Sequence, residues 1–181
     1  MLETVRAFAT ERLGAGEVRD EVLHAHLEWA TRVAVQLASR LDESDGPARF
    51  DEVVDDLRAA LARTEPAPEP VAHRLARALA HLTFAAGDFV ESRAYYRAAA
   101  DRAATAADAV RDLRSASEAA QCLADGEDAF DLLLAAADRA GAERDRAVMQ
   151  ALAVIIANGS SGTSAMPFRR HDARSCCGSP C

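Results

Sequence analysis

Between residues 71 and 157 the chain is apolar at helical spacing, yet it never runs far without a turn signal: Gly87-Asp88, Thr105, Gly126 and Gly141 interrupt it. Segments of this length with period near 3.6 and no sustained alternation form short helices, not strands. Half of the 181 residues are hydrophobic but only 5% are aromatic, and much of the apolar content is alanine. Helices of that composition pack closely, backbone near backbone, so the chain reads as all-α, an array of about seven stacked helices.

The residues before this region are also helical in pattern. Leu2, Val5, Phe8 and Leu13 mark a short amphipathic helix that stops at Gly14 and Gly16. A long helix follows over about residues 18–41, with Leu23, Leu27, Trp29, Ala30, Val33, Val35 and Leu37 as its apolar face. DESDGP at residues 42–47 breaks it, and residues 50–63 form the next helix around Val53, Val54, Leu57, Ala60 and Leu61. TEPAPEP at residues 64–70 places three prolines in seven residues, which no helix continues through. Three segments are therefore expected: N-terminal helices over 1–63, an alanine-rich helical array over 71–157, and a tail over 158–181. The tail, NGSSGTSAMPFRRHDARSCCGSPC, has no helical period and the composition of disordered chain.

Within the array, a tetratricopeptide-like pattern is discernible. Ala80, Ser92 and Ala99 occupy the positions where two helices of a unit cross, and Ser117, Ala129 and Ala136 occupy them in a second unit. Ser92 and Ala129 are 37 residues apart, against about 34 for a regular repeat. Ala76 and Thr83 stand where aromatics are usual. The fold expected is thus a degenerate, right-handed helical-repeat array, in which each pair offers an apolar edge to the next. Residues 146–158, RAVMQALAVIIAN, are apolar almost all round, as in a helix that another helix covers.

Chemistry is harder to find. A net charge of -8 disfavours general nucleic-acid binding, which needs clustered cations. All 21 basic residues are arginine, which excludes a phosphate-loop or Schiff-base lysine. No G-x-S-x-G, H-E-x-x-H or G-x-G-x-x-G sequence occurs. His24 and His26 point to nearly opposite sides of a helix and do not chelate one ion. His73 and His81 read as sharing a face, about 12 Å apart by helical rise, as ordinary surface or core histidines. Asp51, Glu52, Asp55 and Asp56 read as a solvated face rather than a carboxylate pair. No secretory signal or membrane-length apolar run is present, so a cytoplasmic protein is expected. Cys176, Cys177 and Cys181 in the tail are weak candidates for a soft-metal or redox site, since three thiols with only His171 nearby make a poor tetrahedral set.

Three stretches together resemble one family. MLETVRAFATERL at residues 1–13 is similar to the signature that closes the winged-helix region of bacterial STAND-class ATPase transcriptional regulators of the LuxR and SARP types. HAHLEWATRVA at 24–34 matches the histidine-containing helix downstream, and DDLRAAL at 55–61 matches a further segment with Asp56 where the family has Asn. GDFVESRAYYRAAADRA and ALAVIIAN resemble its tetratricopeptide-like array. The resemblance implies a sensor and interaction segment that binds a partner or effector and restrains an ATPase. It also implies that Met1 is an internal methionine of a longer ancestor, because the family's nucleotide-binding domain would precede it and a DNA-binding helix-turn-helix would follow.

The reading that results is a non-enzymatic interaction module with no cofactor and no nucleic-acid or membrane contact. Its partner, a protein or peptide, would meet the concave groove at Arg77, His81, Arg93 and Tyr95. Two alternatives stand beside it: a small-molecule effector held in an apolar pocket between the Trp29 helix and the first unit, and a precursor or metal-binding protein acting through CCGSPC.

Overall fold

The computed structural model describes residues 17–41 and 46–160. The helix expected over residues 2–13 and the cysteines Cys176, Cys177 and Cys181 lie outside the described residues. Within them all regular structure is helical: α1 (Glu17–Ala38), α2 (Gly46–Ala62), α3 (Pro70–Ala85), α4 (Phe89–Arg102), α5 (Ala106–Cys122), α6 (Gly126–Arg139) and α7 (Glu143–Ser160).

Side-chain caps set where the middle helices begin. The Glu69 carboxylate accepts from the amides of Val71 and Ala72, Asp88 from Glu91, Thr105 from Asp108, and Asp125 from Asp128. Each satisfies an amide that has no partner inside its helix. The turns from α3 to α4 and from α5 to α6 each need a left-handed residue. Gly87 supplies one at φ 82° and Ala124 the other at φ 58°. Gly126, which stands out in the sequence as the second turn's glycine, is instead the first residue of α6.

Three helix bounds differ from the sequence pattern. α1 stops at Ala38, and α2 begins at Gly46, within the stretch read as a turn. A Gly-Pro pair fits a first helical turn, where the amide that proline lacks has no intrahelical acceptor. α7 continues to Ser160, two residues past the expected onset of the tail.

From α3 onward each helix packs against the next, while α1 lies against both α2 and α3. One core gathers Leu27 and Ala34 of α1, Leu57 and Leu61 of α2, Leu75 and Leu79 of α3, and Ala99 of α4. A second gathers Ala80, Tyr96, Leu113, Leu132, Leu133, Met149 and Ala153. α3 and α4 contribute to both.

The residues read as crossing positions are buried. Ala80, Ser92 and Ala99 are fully buried, as are Ala129 and Ala136, with Ser117 1% exposed. Small side chains there let the helices approach closely, and the two serines bond across the gap. Ser92 Oγ donates to the Ala80 carbonyl at 2.9 Å, and Ser117 Oγ to that of Ala129 at 3.0 Å. Ala76 and Thr83 fill their places without aromatics: both are buried, and Thr83 Oγ1 bonds the Leu79 carbonyl at 2.9 Å.

An arginine clamp recurs at the same 37-residue interval. AAADRA occurs at both 98–103 and 135–140. Arg139 donates to the Ala100 carbonyl and the Asp101 carboxylate, each at 2.9 Å. Arg102 reaches back in the same way to the Thr64 hydroxyl at 3.2 Å and the Thr64 carbonyl at 3.3 Å. The proline-rich segment after α2 is thereby tied to the end of α4, and the Glu69 amide adds a bond to the Arg102 carbonyl at 3.2 Å.

Candidate functional site

Side chains bridge α3 to α5 and α4 to α6, so alternate helices form two layers. Arg77 and His81 belong to the first layer, Arg93 and Tyr95 to the second. The structure therefore does not gather these four residues into one cluster.

Between α3 and α5 lies the most deeply buried charge among the described residues. Asp112 is 1% exposed, and its carboxylate accepts from His73 Nε2 at 2.8 Å and from Arg77 Nε and Nη2 at 2.7 and 3.0 Å. Arg77 Nη2 also reaches Asp108 at 3.3 Å. Burial lowers the Arg77 pKa, but the bonds to Asp112 and Asp108 outweigh it and raise the net value. The Thr105 hydroxyl and Arg77 together hold the Asp108 carboxyl below the usual carboxylate range. Burying a carboxylate is costly unless such donors surround it, and here three N–H groups do.

His73 and His81 do not share an environment: His73 is buried on Asp112, while His81 is exposed. Eight residues carry a helix about 80° beyond two full turns, enough to move a side chain from the interface to solvent.

In the second layer, Arg93 Nη1 bridges Asp125 at 2.9 Å and Asp128 at 3.0 Å, and Arg97 adds a bond to Asp128 at 3.2 Å. The Asp128 amide and then Arg93 keep the Asp125 carboxyl low. Arg58 of α2 pairs with Glu91 of α4 at 2.5 Å, and that bond raises its pKa above the ordinary arginine value. Half-buried Tyr95 lies beside this pair; burial raises its phenol pKa, with Arg58 opposing. Tyr96, on the next position, is turned into the core, and burial pushes it up to about 12.

The remaining groups are solvated or paired locally. Asp51, Glu52, Asp55 and Asp56 are all exposed, with Asp55 on Arg58 at 3.3 Å. His24 lies 3.5 Å from Glu28, and His26 stacks on Trp29 with ring centroids 5.7 Å apart. Among the described residues no group of three or more His, Cys, Asp or Glu could hold a metal, and no helix is long and apolar enough to cross a membrane.

Two surface features complete the inventory. A groove of about 470 Å³ opens between α5 and α7, near the turn at Gly141. On α7 itself Val148, Val154 and Ile155 are 45%, 54% and 65% exposed. Stepping by 37 residues shows how unusual the last feature is. The exposed outward positions carry Arg74 and His81 on α3 and Arg111 and Glu118 on α5, but Val148 and Ile155 on α7. The sequence pattern singles out α7 as apolar all round; it does not single out Asp112, Asp108, Asp125 or Asp128. The signal for Asp108 and Asp112 was their i,i+4 spacing, matching that of His73 and Arg77 on the helix they meet. Comparison with protein-family models, curated proteins and solved structures returns no match.

Proposed function

We propose that this chain is a non-enzymatic helical-repeat interaction module, tetratricopeptide-like in register, that acts in the cytoplasm. The observation that carries the reading is the outward face of the first layer. It runs from Arg74, Arg77 and His81 on α3, through Arg111, Arg114 and Glu118 on α5, to exposed Val148 and Ile155 on α7. A surface that passes from charged, with Arg74 and His81 at its outer end, to apolar suits a protein segment that is acidic at one end and apolar at the other. His81 is exposed on this face, and Arg77 stands beside it, held by Asp112 and Asp108. Arg93 and Tyr95, in the second layer, then act by tying α4 to α6 and α2 rather than by touching the partner. The resemblance of residues 1–13, 24–34 and 55–61 to STAND-class regulators supplies the setting: a segment that restrains an ATPase through this face.

Site-specific photo-crosslinking in the native cell tests the reading. A crosslinker at His81 or Ile155 should trap a discrete protein, and Arg74→Glu with Ile155→Glu should abolish the product. Equal trapping from the outward second-layer positions Ala94 and Asp131, or products indifferent to the charge reversal, would sink it.

A further inference from the structure

The two junctions between first-layer helices can be compared position by position, because the caps, crossings and clamps of the second helix pair follow those of the first by 37 residues. At the α3–α5 junction the residues that meet are His73, Arg77, Asp108 and Asp112. At the α5–α7 junction the corresponding residues are Val110, Arg114, Asp145 and Met149. The arginine is kept, and so is the outer aspartate. The inner carboxylate that Arg77 grips has no counterpart, because buried Met149 stands in its place.

The second junction also carries smaller side chains. Glu69, Pro70, His73 and Thr105 at the first correspond to Ala106, Ala107, Val110 and Ala142. These smaller side chains leave the groove of about 470 Å³, walled by Val110 and Met149 and bordered by exposed Arg111, Arg114 and Asp145. That size falls within the range of small-molecule sites. Arg114 is bound only loosely where it stands: its Nε lies 3.5 Å from Glu118 of its own helix, with both side chains more than half exposed. Arg111 has a 3.3 Å contact with Asp108. Exposed pairs of this kind yield readily to a better-placed anion.

We propose that the α5–α7 groove binds a small molecule bearing a carboxylate on an apolar group. The carboxylate takes from Arg114 the side-on pair of hydrogen bonds that Asp112 takes from Arg77, and the apolar part lies on Val110 and Met149. The first junction thus defines the ligand chemistry that the second lacks: one carboxylate, presented to a guanidinium over an apolar wall. The site lies away from the Trp29 helix; it shares Arg111 and Arg114 with the face proposed above but is argued from the groove and not from a protein partner.

Hexanoate serves as the probe, with hexan-1-ol and hexylamine as controls, titrated into the full chain and followed by amide chemical shifts. Hexanoate should saturate and move the Val110, Asp145 and Met149 amides, and hexan-1-ol should bind about tenfold more weakly, the factor expected for one charge-assisted contact. Arg114→Gln should bring hexanoate down to the hexan-1-ol level; the residue is over half exposed, so folding is not at risk. Equal affinity for hexanoate and hexan-1-ol, indifference to Arg114→Gln, or shifts that avoid these three amides would overturn the proposal.

Discussion

Asp112 is the residue on which the α3–α5 junction turns, and the second junction indicates how it can be replaced. Asp112→Ala leaves buried His73 without its acceptor and half-exposed Arg77 with Asp108 alone. Breaking a buried pair costs about 3–5 kcal/mol, and since Arg77 can turn to solvent the low end of that range applies. His73→Val with Asp112→Met copies the side chains of the α5–α7 junction and should be near neutral, because an apolar replacement removes the desolvation penalty along with the attraction. Urea unfolding of both variants and of the singles decides this; a double variant as damaged as Asp112→Ala would show that packing, not charge, controls the site. Tyr96 offers a pH test. Its folded pKa of about 12 exceeds the unfolded value of about 10, so the folded chain keeps a proton that the unfolded chain loses. Stability is then unaffected below that unfolded value and declines as pH rises through the window, by about 3 kcal/mol in all. No lysine titrates in the same range, since every basic residue is arginine. Tyr96→Phe should flatten the alkaline limb of a stability-against-pH curve, leaving a smaller slope of the same sign from Tyr95; an unchanged limb would place its origin elsewhere. The sequence made the small crossing residues legible, because Ser and Ala recur at fixed spacing. It hid Asp112, because an acid in an amphipathic helix reads as solvent-facing unless the partner helix is known.

At the scale of the helix pair, the same turn is built twice with different residues. Gly87 takes φ 82° and the corresponding Ala124 takes φ 58°. A side chain in the left-handed region costs about 1–2 kcal/mol relative to glycine, offset in part by the greater freedom of glycine in the unfolded chain. Ala124→Gly should therefore stabilise the protein by roughly 0.5–1 kcal/mol, and Gly87→Ala should destabilise it by a similar amount. A Cβ at Gly87 would meet nothing within 4 Å, so the second effect is conformational and not steric. Thermal melts of the two variants should move in opposite directions; movement of both in one direction would rule out a shared turn geometry. The turn positions were visible in the sequence, but the residue that adopts the left-handed conformation was not. Gly126 drew attention as the only glycine there, yet helix α6 needs Asp125 at its cap, and that places the turn on Ala124. Helix ends followed the same logic: period locates the middle of α2 and α7, whereas their limits depend on how far the first and last turns are tolerated.

Across the whole array, stability should be graded rather than uniform. Stacked helices touch mainly their neighbours, so each part is held by what lies on either side. α3 and α4 are held from both directions, with Leu75, Leu79 and Ala99 in one core and Ala80, Tyr96 and Ala100 in the other. α7 places only Met149 and Ala153 in the buried core and leaves Val148, Val154 and Ile155 in solvent. Periodicity marks the buried face of α1 and puts the helix at the N-terminal end of the stack, but the contact of that face with α3 as well as α2 comes from the structure. Its consequence is that the α3 side is closed by two helices and the α7 side by none among the described residues. Amide hydrogen exchange should therefore proceed first in α7, next in α5 and α6, and last in α3 and α4. Leu133→Ala sharpens the expectation. The side chain is 2% exposed in the second core, and its truncation costs about 2–5 kcal/mol. Exchange in α5, α6 and α7 should accelerate strongly while the amides of α1 respond far less, because the perturbation must cross α3 and α4 to reach them. Equal acceleration in every helix would instead establish a single cooperative unit, with the two cores opening together.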